Sequence, residues 1–363
     1  MDASEKQTMK KECAVLVSGG VDSSVALRLV QEQGYTPTAF YLKIWLEDEL
    51  SHLGSCPWQE DLAYVEAVCA QAKVPLQVIS LQKEYWDRVV AHTVSEIKAG
   101  RTPNPDILCN QRVKFGAFYE YLDPRFQYVA TGHYARVIRD SSHSELHTTD
   151  DPIKDQTYFL SHLSQAQLSR ALFPLGDLTK ASVRELAAQY DLPNKDRKDS
   201  QGICFLGKLK FPEFVKHHMG EQDGPFIEFE TGKQVGTHKG FWFYTIGQRQ
   251  GMGLSGGPWY VVAKRTEDNI VYISRDYYTD EKMRDTFVLS GCNWIAGAPE
   301  KATLRVKLRH GPHFNSASLE KYGNDSYLVK LAERDQGLAE GQYAVFYEGT
   351  KCLGGGVIKR YEG

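Results

Sequence analysis

Seven residues rich in glycine and serine, Ser18 to Ser24, lie between an apolar run and a helical pattern. Two adjacent glycines let the backbone turn sharply and approach an anion closely, and the start of the next helix offers amide donors and partial positive charge. We therefore interpret the segment as a cradle for phosphate or pyrophosphate, rather than as an ordinary turn capped by serine. Asp22 is unusual beside an anion unless a magnesium ion shares the site. The G-x-x-x-x-G-K-[ST] loop of kinases and GTPases does not occur in the sequence.

Two of the seven cysteines, Cys109 and Cys204, lie in polar segments rich in turn residues. Cys109 lies in a predicted loop that two prolines stiffen, ahead of a predicted helix, and a thiol near the start of a helix can have a lowered pKa. Cys204 follows a cationic stretch, residues 195–198, whose charges favour a thiolate and attract phosphate. A single cysteine is most often a small buried hydrophobe, but that interpretation fits these two poorly. We predict that both thiols are reactive.

Other polar residues each have two interpretations. Asp106 follows a proline and is either an acid–base group or part of a local turn or helix cap. His133 ends a predicted strand and so faces the ligand side of an α/β fold, with a structural histidine as the alternative. Arg305, Lys307 and Arg309 alternate along a predicted strand, which indicates a phosphate-binding face or, equally, a solvated face.

The elements that must position these residues follow from hydrophobic periodicity. Predicted strands at 13–17, 38–45, 76–81 and within 128–138 alternate with predicted helices at 24–33, 62–72, 84–98 and 115–122. This alternation is typical of an α/β fold whose parallel sheet binds ligands at the carboxyl ends of its strands. Further helices are predicted at 165–172 and 179–190.

The pattern changes beyond about residue 211. Short β patterns at 258–263, 270–274, 303–308, 326–331, 343–347 and 357–359 predict a small central module and a terminal β-barrel or sandwich. We expect domains at 1–210, 211–285 and 286–363.

Composition excludes several classes of protein. The 363 residues carry 43 Lys and Arg against 46 Asp and Glu, and 42% of them are hydrophobic, which is ordinary for a globular chain. The mean hydropathy is −0.43, and no apolar run is long enough for a membrane span. The scattered cysteines include no CxxC pair, which argues against a disulfide framework or a zinc site. With a polar N-terminal stretch as well, we expect a cytoplasmic protein without a resident metal.

The SGGVDSS loop resembles that of the PP-loop family, the adenylating ATP pyrophosphatases. Two cysteine motifs, GRTPNPDILCN at 100–110 and KDSQGICF at 198–205, resemble those of the tRNA-uridine 2-sulfurtransferase family (MnmA/TrmU). The likeness continues through YLKIW (41–45), ATGHY (130–134), KDQTYFL (154–160), FPLG (173–176), TIGQR (245–249), PWYVV (258–262) and CLGGG (352–356). It implies a PP-loop α/β domain, a small central β-rich module and a C-terminal β-barrel that binds tRNA.

The resemblance also implies roles for individual residues. ATP, with Mg²⁺, would be bound by Leu16, Val17, Ser18, Gly19, Gly20, Val21, Asp22, Ser23, Leu42 and Gly132. Asn104, Pro105 and Asp106 would meet the target base, and further tRNA contacts would come from His133, Lys154, Asp155, Gln156, Arg309, His310 and Gln342. We expect residues 154–156 to be exposed.

The implied reaction is the 2-thiolation of the wobble uridine in tRNAs for lysine, glutamate and glutamine. The flipped uridine would be adenylated at its C2 oxygen, releasing pyrophosphate. Cys204 would carry a persulfide received from a cysteine desulfurase or a sulfur-relay protein, Cys109 would free or resolve the sulfur, and a transient disulfide between the two would then need reduction.

Three alternative functions remain open from the sequence alone. A PP-loop amide ligase acting on a small molecule would need a glutaminase and would leave Cys109 and Cys204 without a role. A catalytically idle tRNA-binding or sulfur-carrier protein would not need the intact loop. A tRNA thiolase acting at another base position usually adds CxxC pairs or a separate sulfur-carrying domain, and neither is present.

Overall fold

A computed structural model of the protein describes residues 11–44, 58–198, 211–276, 284–301 and 303–361. Its strands are β1 (Glu12–Leu16), β2 (Thr36–Lys43), β3 (Leu76–Ser80), β4 (Tyr128–Ala130), β5 (Arg136–Arg139), β6 (Ser144–His147), β7 (Ala171–Leu172), β8 (Gly224–Glu228), β9 (Gln234–His238), β10 (Tyr260–Arg265), β11 (Ile270–Ser274), β12 (Arg284–Trp294), β13 (Thr303–Lys307), β14 (Asn315–Lys321), β15 (Ser326–Asp335), β16 (Tyr343–Glu348) and β17 (Lys351–Arg360).

The α-helices are α1 (Val21–Glu32), α2 (Trp58–Ala72), α5 (Thr157–Leu160), α6 (Gln165–Leu168), α7 (Lys180–Gln189) and α8 (Phe211–Met219), with two composite helices between α2 and α5. Helix α3 consists of Gln82–Tyr85, a π-helical stretch Trp86–Val90 and Ala91–Lys98. Helix α4 consists of Pro105–Cys109, a π-helical stretch Asn110–Ala117 and Phe118–Tyr121. No helix in the described part of the chain is long and apolar enough to cross a membrane.

Five parallel strands form the first sheet in the order β3-β2-β1-β4-β7. Residues 13–16 of the central strand β1 form an unbroken apolar run and are all buried, because helices cover both faces of the sheet. Parallel strands all end at the same edge, so the segments that follow β1, β2 and β4 meet there. The predicted α/β unit is confirmed.

The last six strands close into a barrel in the order β12-β15-β14-β13-β16-β17, with β17 pairing back to β12. A triple glycine in β17 permits this closure: a side chain on Gly354 or Gly355 would lie about 2.0 Å from a carbonyl oxygen of a neighbouring strand. The predicted C-terminal β-barrel is confirmed. The hairpin β5–β6 of the α/β unit pairs with β17 and so extends the barrel sheet.

Between these units, β10-β11-β8-β9 form a small four-stranded sheet around Phe226, Trp259 and Val261. This is the predicted central β-rich module.

Two predicted elements differ from the structure. The segment before Cys109, expected to be a loop, forms the first turns of α4, because Pro105 occupies the first helical position and Asn104 caps it. The helix predicted at 165–172 ends at Leu168, and Ala171–Leu172 instead adds a strand to the edge of the parallel sheet.

Candidate active site

The glycine-rich loop connects β1 to α1 at the carboxyl edge of the parallel sheet. Strands β2 and β4 flank β1, so Leu42, near the end of β2, and Gly132, just beyond β4, lie at the same edge. A side chain on Gly132 would lie 2.7 Å from the amide nitrogen of Ser23, so glycine is required for this close approach. The structure thus brings together the residues predicted to bind ATP.

Hydrogen bonds of two serines define the shape of the loop. The hydroxyl of Ser23 accepts from the amide of Ser18 at 3.1 Å and donates to the carbonyl of Gly20 at 3.0 Å. Gly19 has a φ of 77°, a conformation that glycine adopts without strain. Gly20 is the N-cap residue of α1 and contributes no capping side chain, which suits a helix start whose amides face a ligand.

Asp22, in the first turn of α1, forms an ion pair with Lys180. The Nζ atom of Lys180 lies 2.7 Å from Oδ1 of Asp22, and the hydroxyl of Tyr134 donates to the same oxygen at 3.0 Å. The carboxylate beside the anion cradle is therefore already balanced by a cation of this chain. The charge of Asp22 therefore does not require a magnesium ion to offset it.

Two side chains that follow α7 hold the other side of the loop. The carbonyl of Gly19 accepts from Asn194 at 2.8 Å and from a guanidinium nitrogen of Arg197 at 3.0 Å. Arg197 also forms an ion pair with Asp61 of α2. The positive charge of Arg197, which we predicted to act on Cys204, therefore lies against the phosphate loop.

The environment of Cys109 differs from the prediction. Cys109 is the fifth residue of α4 and is fully buried among apolar side chains, not in the polar setting expected. Burial raises its pKa, and the opposing charge of Lys114 does not outweigh that effect. The expected lowered pKa is therefore wrong for the state described. Cys204 lies outside the described residues.

The first turn of α4 presents the three residues predicted to meet the target base. Asn104 is the N-cap, with its Oδ1 accepting from the amide of Ile107 at 3.3 Å, while Pro105 is buried and Asp106 is partly exposed in the first turn. Asn104, not Asp106, is thus the helix cap. Asn104 also lines a cleft of about 570 Å³ between α3 and the barrel, together with Arg101, Leu108, Gly341 and Tyr343.

Asp155 is buried, which contradicts the exposure expected for residues 154–156. Its carboxylate binds Lys307 of β13 at 2.9 Å, and both side chains are only 2% exposed. Lys307 is therefore neither part of a phosphate-binding face nor solvated. Of the other two cations on that predicted face, Arg305 lies over the ring of Phe314 and Arg309 forms an ion pair with Asp335.

The remaining predicted tRNA contacts lie around this interface. His310 stacks on the ring of Phe159 with centroids 4.6 Å apart, and its Nε2 donates to the backbone carbonyl of Asp155 at 3.1 Å. Burial lowers the pKa of His310, and its hydrogen bond to the backbone of Asp155 only partly opposes that effect. Lys154 and Gln156 are half-buried beside Asp155.

Gln342 immediately precedes β16, next to the loop that precedes α4. The neighbouring Glu340 accepts a hydrogen bond from the amide of Thr102 at 2.7 Å, which joins the barrel to that loop. Residues predicted from distant parts of the sequence to contact tRNA thus lie near one domain boundary.

His133 follows β4 at the ligand edge of the sheet, as predicted. Its Nδ1 is hydrogen bonded to the hydroxyl of Thr131 at 2.7 Å, and its ring contacts Phe115 and Phe173. Burial and the charge of Lys114 hold the pKa of His133 well below its ordinary value. The imidazole is therefore neutral at physiological pH.

The sequence interpretation missed Lys180 and Tyr134 as members of the site. A lysine as the first residue of a helix opposes the helix macrodipole, and this was the available signal for Lys180. Tyr134 belongs to the ATGHY segment, but nothing in the sequence places its hydroxyl beside Asp22.

Comparison with known proteins agrees with this arrangement. The family described as "tRNA methyl transferase HUP domain" matches residues 11–208, the "tRNA methyl transferase PRC-barrel domain" matches 212–275, and the "Aminomethyltransferase beta-barrel domain" matches 284–358. The "tRNA-specific 2-thiouridylase MnmA 1" of Bacteroides thetaiotaomicron is 44% identical over 96% of this chain and 99% of its own length. The chain belongs to the tRNA-specific 2-thiouridylase (MnmA) family.

Other relatives span the same length. The tRNA-specific 2-thiouridylase MnmA of Porphyromonas gingivalis is 42% identical over 96% of this chain and 99% of its own. Among solved structures, a 4-thiouridine synthetase in complex with RNA and ATP has a TM-score of 0.35 at 14% identity, covering 57% of this chain and 50% of its own. The MnmA relatives, in contrast, align with nearly the whole chain.

Proposed function

We propose that this protein is an ATP-dependent tRNA 2-thiouridylase that acts on the wobble uridine of tRNAs for lysine, glutamate and glutamine in the cytoplasm. The observation that carries the proposal is the 44% identity to a 2-thiouridylase over 96% of the chain. The three-domain division at 1–210, 211–285 and 286–363 is part of the same proposal.

The loop between β1 and α1 fits the phosphates of ATP. It combines a close-approaching backbone at Gly19 and Gly20, the start of α1, and the cations Lys180 and Arg197. Leu42 and Gly132 border the nucleotide. Magnesium would accompany the phosphates, as is usual for nucleoside triphosphates.

Activation of the base follows from this arrangement. The C2 oxygen of uridine attacks the α-phosphorus of ATP, pyrophosphate leaves, and the amide-like carbonyl gains a phosphate leaving group. Asn104 and Pro105 contact the flipped base, and Asp106, partly exposed in the first turn of α4, takes or returns a proton. His133 contacts the tRNA as a neutral donor or acceptor.

Sulfur transfer needs both cysteines. Cys204 carries a persulfide from a cysteine desulfurase or sulfur-relay protein, and its terminal sulfur attacks C2 and displaces AMP. The Cys109 thiolate then attacks Sγ of Cys204, which releases the thiolated base and leaves a disulfide between the two cysteines. A thiol reductant then supplies two electrons that convert this disulfide back to two thiols. Because Cys109 is fully buried, this step requires a rearrangement around α4.

The tRNA itself lies across the boundary between the α/β unit and the barrel. Lys154, Gln156, Arg309, His310 and Gln342 contact the tRNA there. Asp155 contributes by positioning Lys307 and His310, since its own carboxylate is buried.

Nucleoside mass spectrometry of unmodified tRNA tests the proposal. The reaction contains ATP, Mg²⁺, cysteine and a cysteine desulfurase, with the variants Cys204→Ser, Cys109→Ser and, as a control, Cys292→Ser. We expect wobble 2-thiouridine from the parent and the control and none from the other two. Pyrophosphate release without thiolation, unchanged in Cys204→Ser and Cys109→Ser, would instead indicate a PP-loop ligase with another acceptor. A thiolated base at another position would identify a different tRNA thiolase.

A further inference from the structure

The middle of α4, directly after Cys109, is π-helical over Asn110–Ala117. A π-helix bonds each amide to the carbonyl five residues earlier, so it accommodates an extra residue compared with an α-helix, and such stretches are frequent at functional sites. If this stretch became α-helical, the residues before it would rotate by about 100° and shift by about 1.5 Å relative to those after it. The helical register of this stretch therefore determines where Cys109 points.

One side chain from outside α4 is bonded to two carbonyls of this stretch. The Nε2 atom of Gln167, in α6, donates to the carbonyls of Gln111 and Phe115, both at 2.8 Å. We propose that Gln167 holds Cys109 in its buried position by keeping α4 in the π-helical register, and that a return to the α-helical register exposes the thiol. This inference rests on the proposed function, because it assigns a positioning residue to one of the two thiols of sulfur transfer.

The side-chain amide of Gln167 is fixed in orientation by its own helix. Its Oε1 accepts from the amide of Ser164 at 2.9 Å, and the hydroxyl of Ser164 accepts from the amide of Gln167 at 3.2 Å, which together form a capping box at the start of α6. Because Oε1 is used at the cap, the two donors on Nε2 face α4. Gln167 thus joins a fixed helix start to the π-helical stretch.

The segment of α4 after the π-helical stretch is anchored to its neighbours. Arg88 of α3 binds both carboxylate oxygens of Glu120, at 2.8 and 2.9 Å. The hydroxyl of Tyr119 donates to the backbone carbonyl of Gln167 at 3.3 Å. With this segment held in place, a change of register rotates Pro105–Cys109 instead, and it would carry the thiol away from the apolar side chains that bury it.

Gly116 lies where the π-helical register leaves no room for a side chain. A Cβ atom there would be 2.8 Å from the carbonyl oxygen of Gln111, closer than such atoms come to backbone oxygens in folded proteins. A methyl group at this position therefore disfavours the register without removing the donors of Gln167. Gly116→Ala is thus an independent way to change the register.

The competing explanation is that Gln167 only caps α6, and two variants separate these roles. Gln167→Glu retains the acceptor that the capping box needs but replaces the donating nitrogen with an oxygen. Ser164→Ala removes the hydroxyl of the cap and leaves the donating nitrogen in place. If Gln167 holds the register, Gln167→Glu exposes Cys109 and Ser164→Ala does not. If Gln167 only caps α6, the reverse holds.

Alkylation of the full-length protein with iodoacetamide at pH 8, followed by mass spectrometry of tryptic peptides, tests the assignment. We expect Gln167→Met, Gln167→Glu and Gly116→Ala each to accelerate modification of Cys109 at least tenfold, and Gly116→Ala to add less than twofold to Gln167→Met. Ser164→Ala should react as the parent does. Cys352 is equally buried, reports global unfolding and should change less than twofold. Where Cys352 also accelerates in a Gln167 variant, Gly116→Ala decides.

The same rates with tRNA and an ATP analogue bound test the connection to sulfur transfer. We expect these ligands to accelerate modification of Cys109 in the parent and to change its rate less than twofold in Gln167→Met, whose register is already released. Acceleration by the same factor in both proteins would show that a different movement exposes the thiol, which overturns the proposed change of register.

Unchanged Cys109 rates in Gln167→Glu and Gly116→Ala, or equal acceleration in Ser164→Ala, overturn the role of Gln167 and leave the proposed function intact. A parent protein that forms no wobble 2-thiouridine overturns the proposed function, while the alkylation rates of the free protein still decide whether Gln167 holds Cys109 in place.

Discussion

Lys307 of the barrel and Asp155 of the α/β unit form a buried ion pair, with Nζ and Oδ2 2.9 Å apart. Thr157 donates to both oxygens of the carboxylate, at 2.9 and 3.0 Å, and its hydroxyl lies 3.2 Å from that of Tyr347 in the barrel. The backbone of Asp155 meanwhile binds His310. Asp155 therefore joins the two units through its carboxylate and holds a predicted tRNA contact through its backbone carbonyl.

Removing one member of this pair should destabilise the protein strongly. Lys307→Met leaves the Asp155 carboxylate buried without a counter-charge, and we expect it to lower the free energy of unfolding by about 3–5 kcal/mol. Urea unfolding followed by fluorescence measures this. The double variant Lys307→Met with Asp155→Asn should recover part of the loss, because no unpaired charge remains.

The matched control is Lys301→Met in the same barrel. Lys301 pairs with Glu348 at the surface, where ion pairs contribute only about 0–1 kcal/mol. Equal losses in Lys301→Met and Lys307→Met would show that burial of the Lys307 pair has no energetic consequence.

The N-cap role of Asn104 can be separated from its predicted contact with the base. Asn104→Ala should cost about 1 kcal/mol of stability through loss of the cap, whereas Asn104→Asp keeps a cap acceptor and should cost little. If the amide also contacts uracil, both variants lose thiolation with a raised KM for tRNA. Full activity in Asn104→Asp would restrict the residue to its structural role.

The sequence alone was sufficient to predict those elements whose pattern lies within one short segment of the chain. The buried run of β1, the glycine loop and α1 adjoin one another, so their pattern alone predicts a phosphate site at a sheet edge, and parallel topology then places Leu42 and Gly132 beside it. The capped start of α4 was also encoded locally, in Asn104-Pro105, but it was interpreted as a stiff loop because two prolines lie close together.

Interactions between distant segments could not be predicted in this way. Alternation along β13 marks Lys307 as facing one side, but whether that side is solvent or an interface depends on Asp155, 152 residues earlier. Lys180 and Asp22 are similarly separated by 158 residues. Cys109 was expected in a polar setting, yet its burial comes from side chains such as Tyr85 and Phe115 that the fold packs around it.

Cys109 should react slowly in the free protein. Its full burial limits the access of reagents to the sulfur, and its raised pKa lowers the fraction present as thiolate. At pH 8 we therefore expect iodoacetamide to modify Cys109 no faster than Cys352, which is equally buried and has a pKa raised to about 12. Mass spectrometry of tryptic peptides measures both rates. If Cys109 takes part in sulfur transfer, adding tRNA and an ATP analogue should accelerate its modification while Cys352 stays unreactive.

Rapid modification of Cys109 in the free protein would contradict its buried position. An unchanged slow rate with tRNA and the ATP analogue bound would argue against the rearrangement that sulfur transfer requires.

The neutral state of His133 predicts how stability depends on pH. Its folded pKa lies well below 6.5, so below about pH 6.5 the unfolded chain binds a proton that the folded protein does not. Stability therefore falls as the pH drops from 6.5 towards the folded pKa, by up to about 1.4 kcal/mol per pH unit from this group. His133→Asn should remove that part of the slope between pH 6.5 and 5, measured by urea unfolding at each pH. In the parent, the His133 ring resonances should show no titration step at pH 6.5. A step there would mean that the imidazole carries charge at the ligand edge, and its contact with tRNA would then have to be electrostatic.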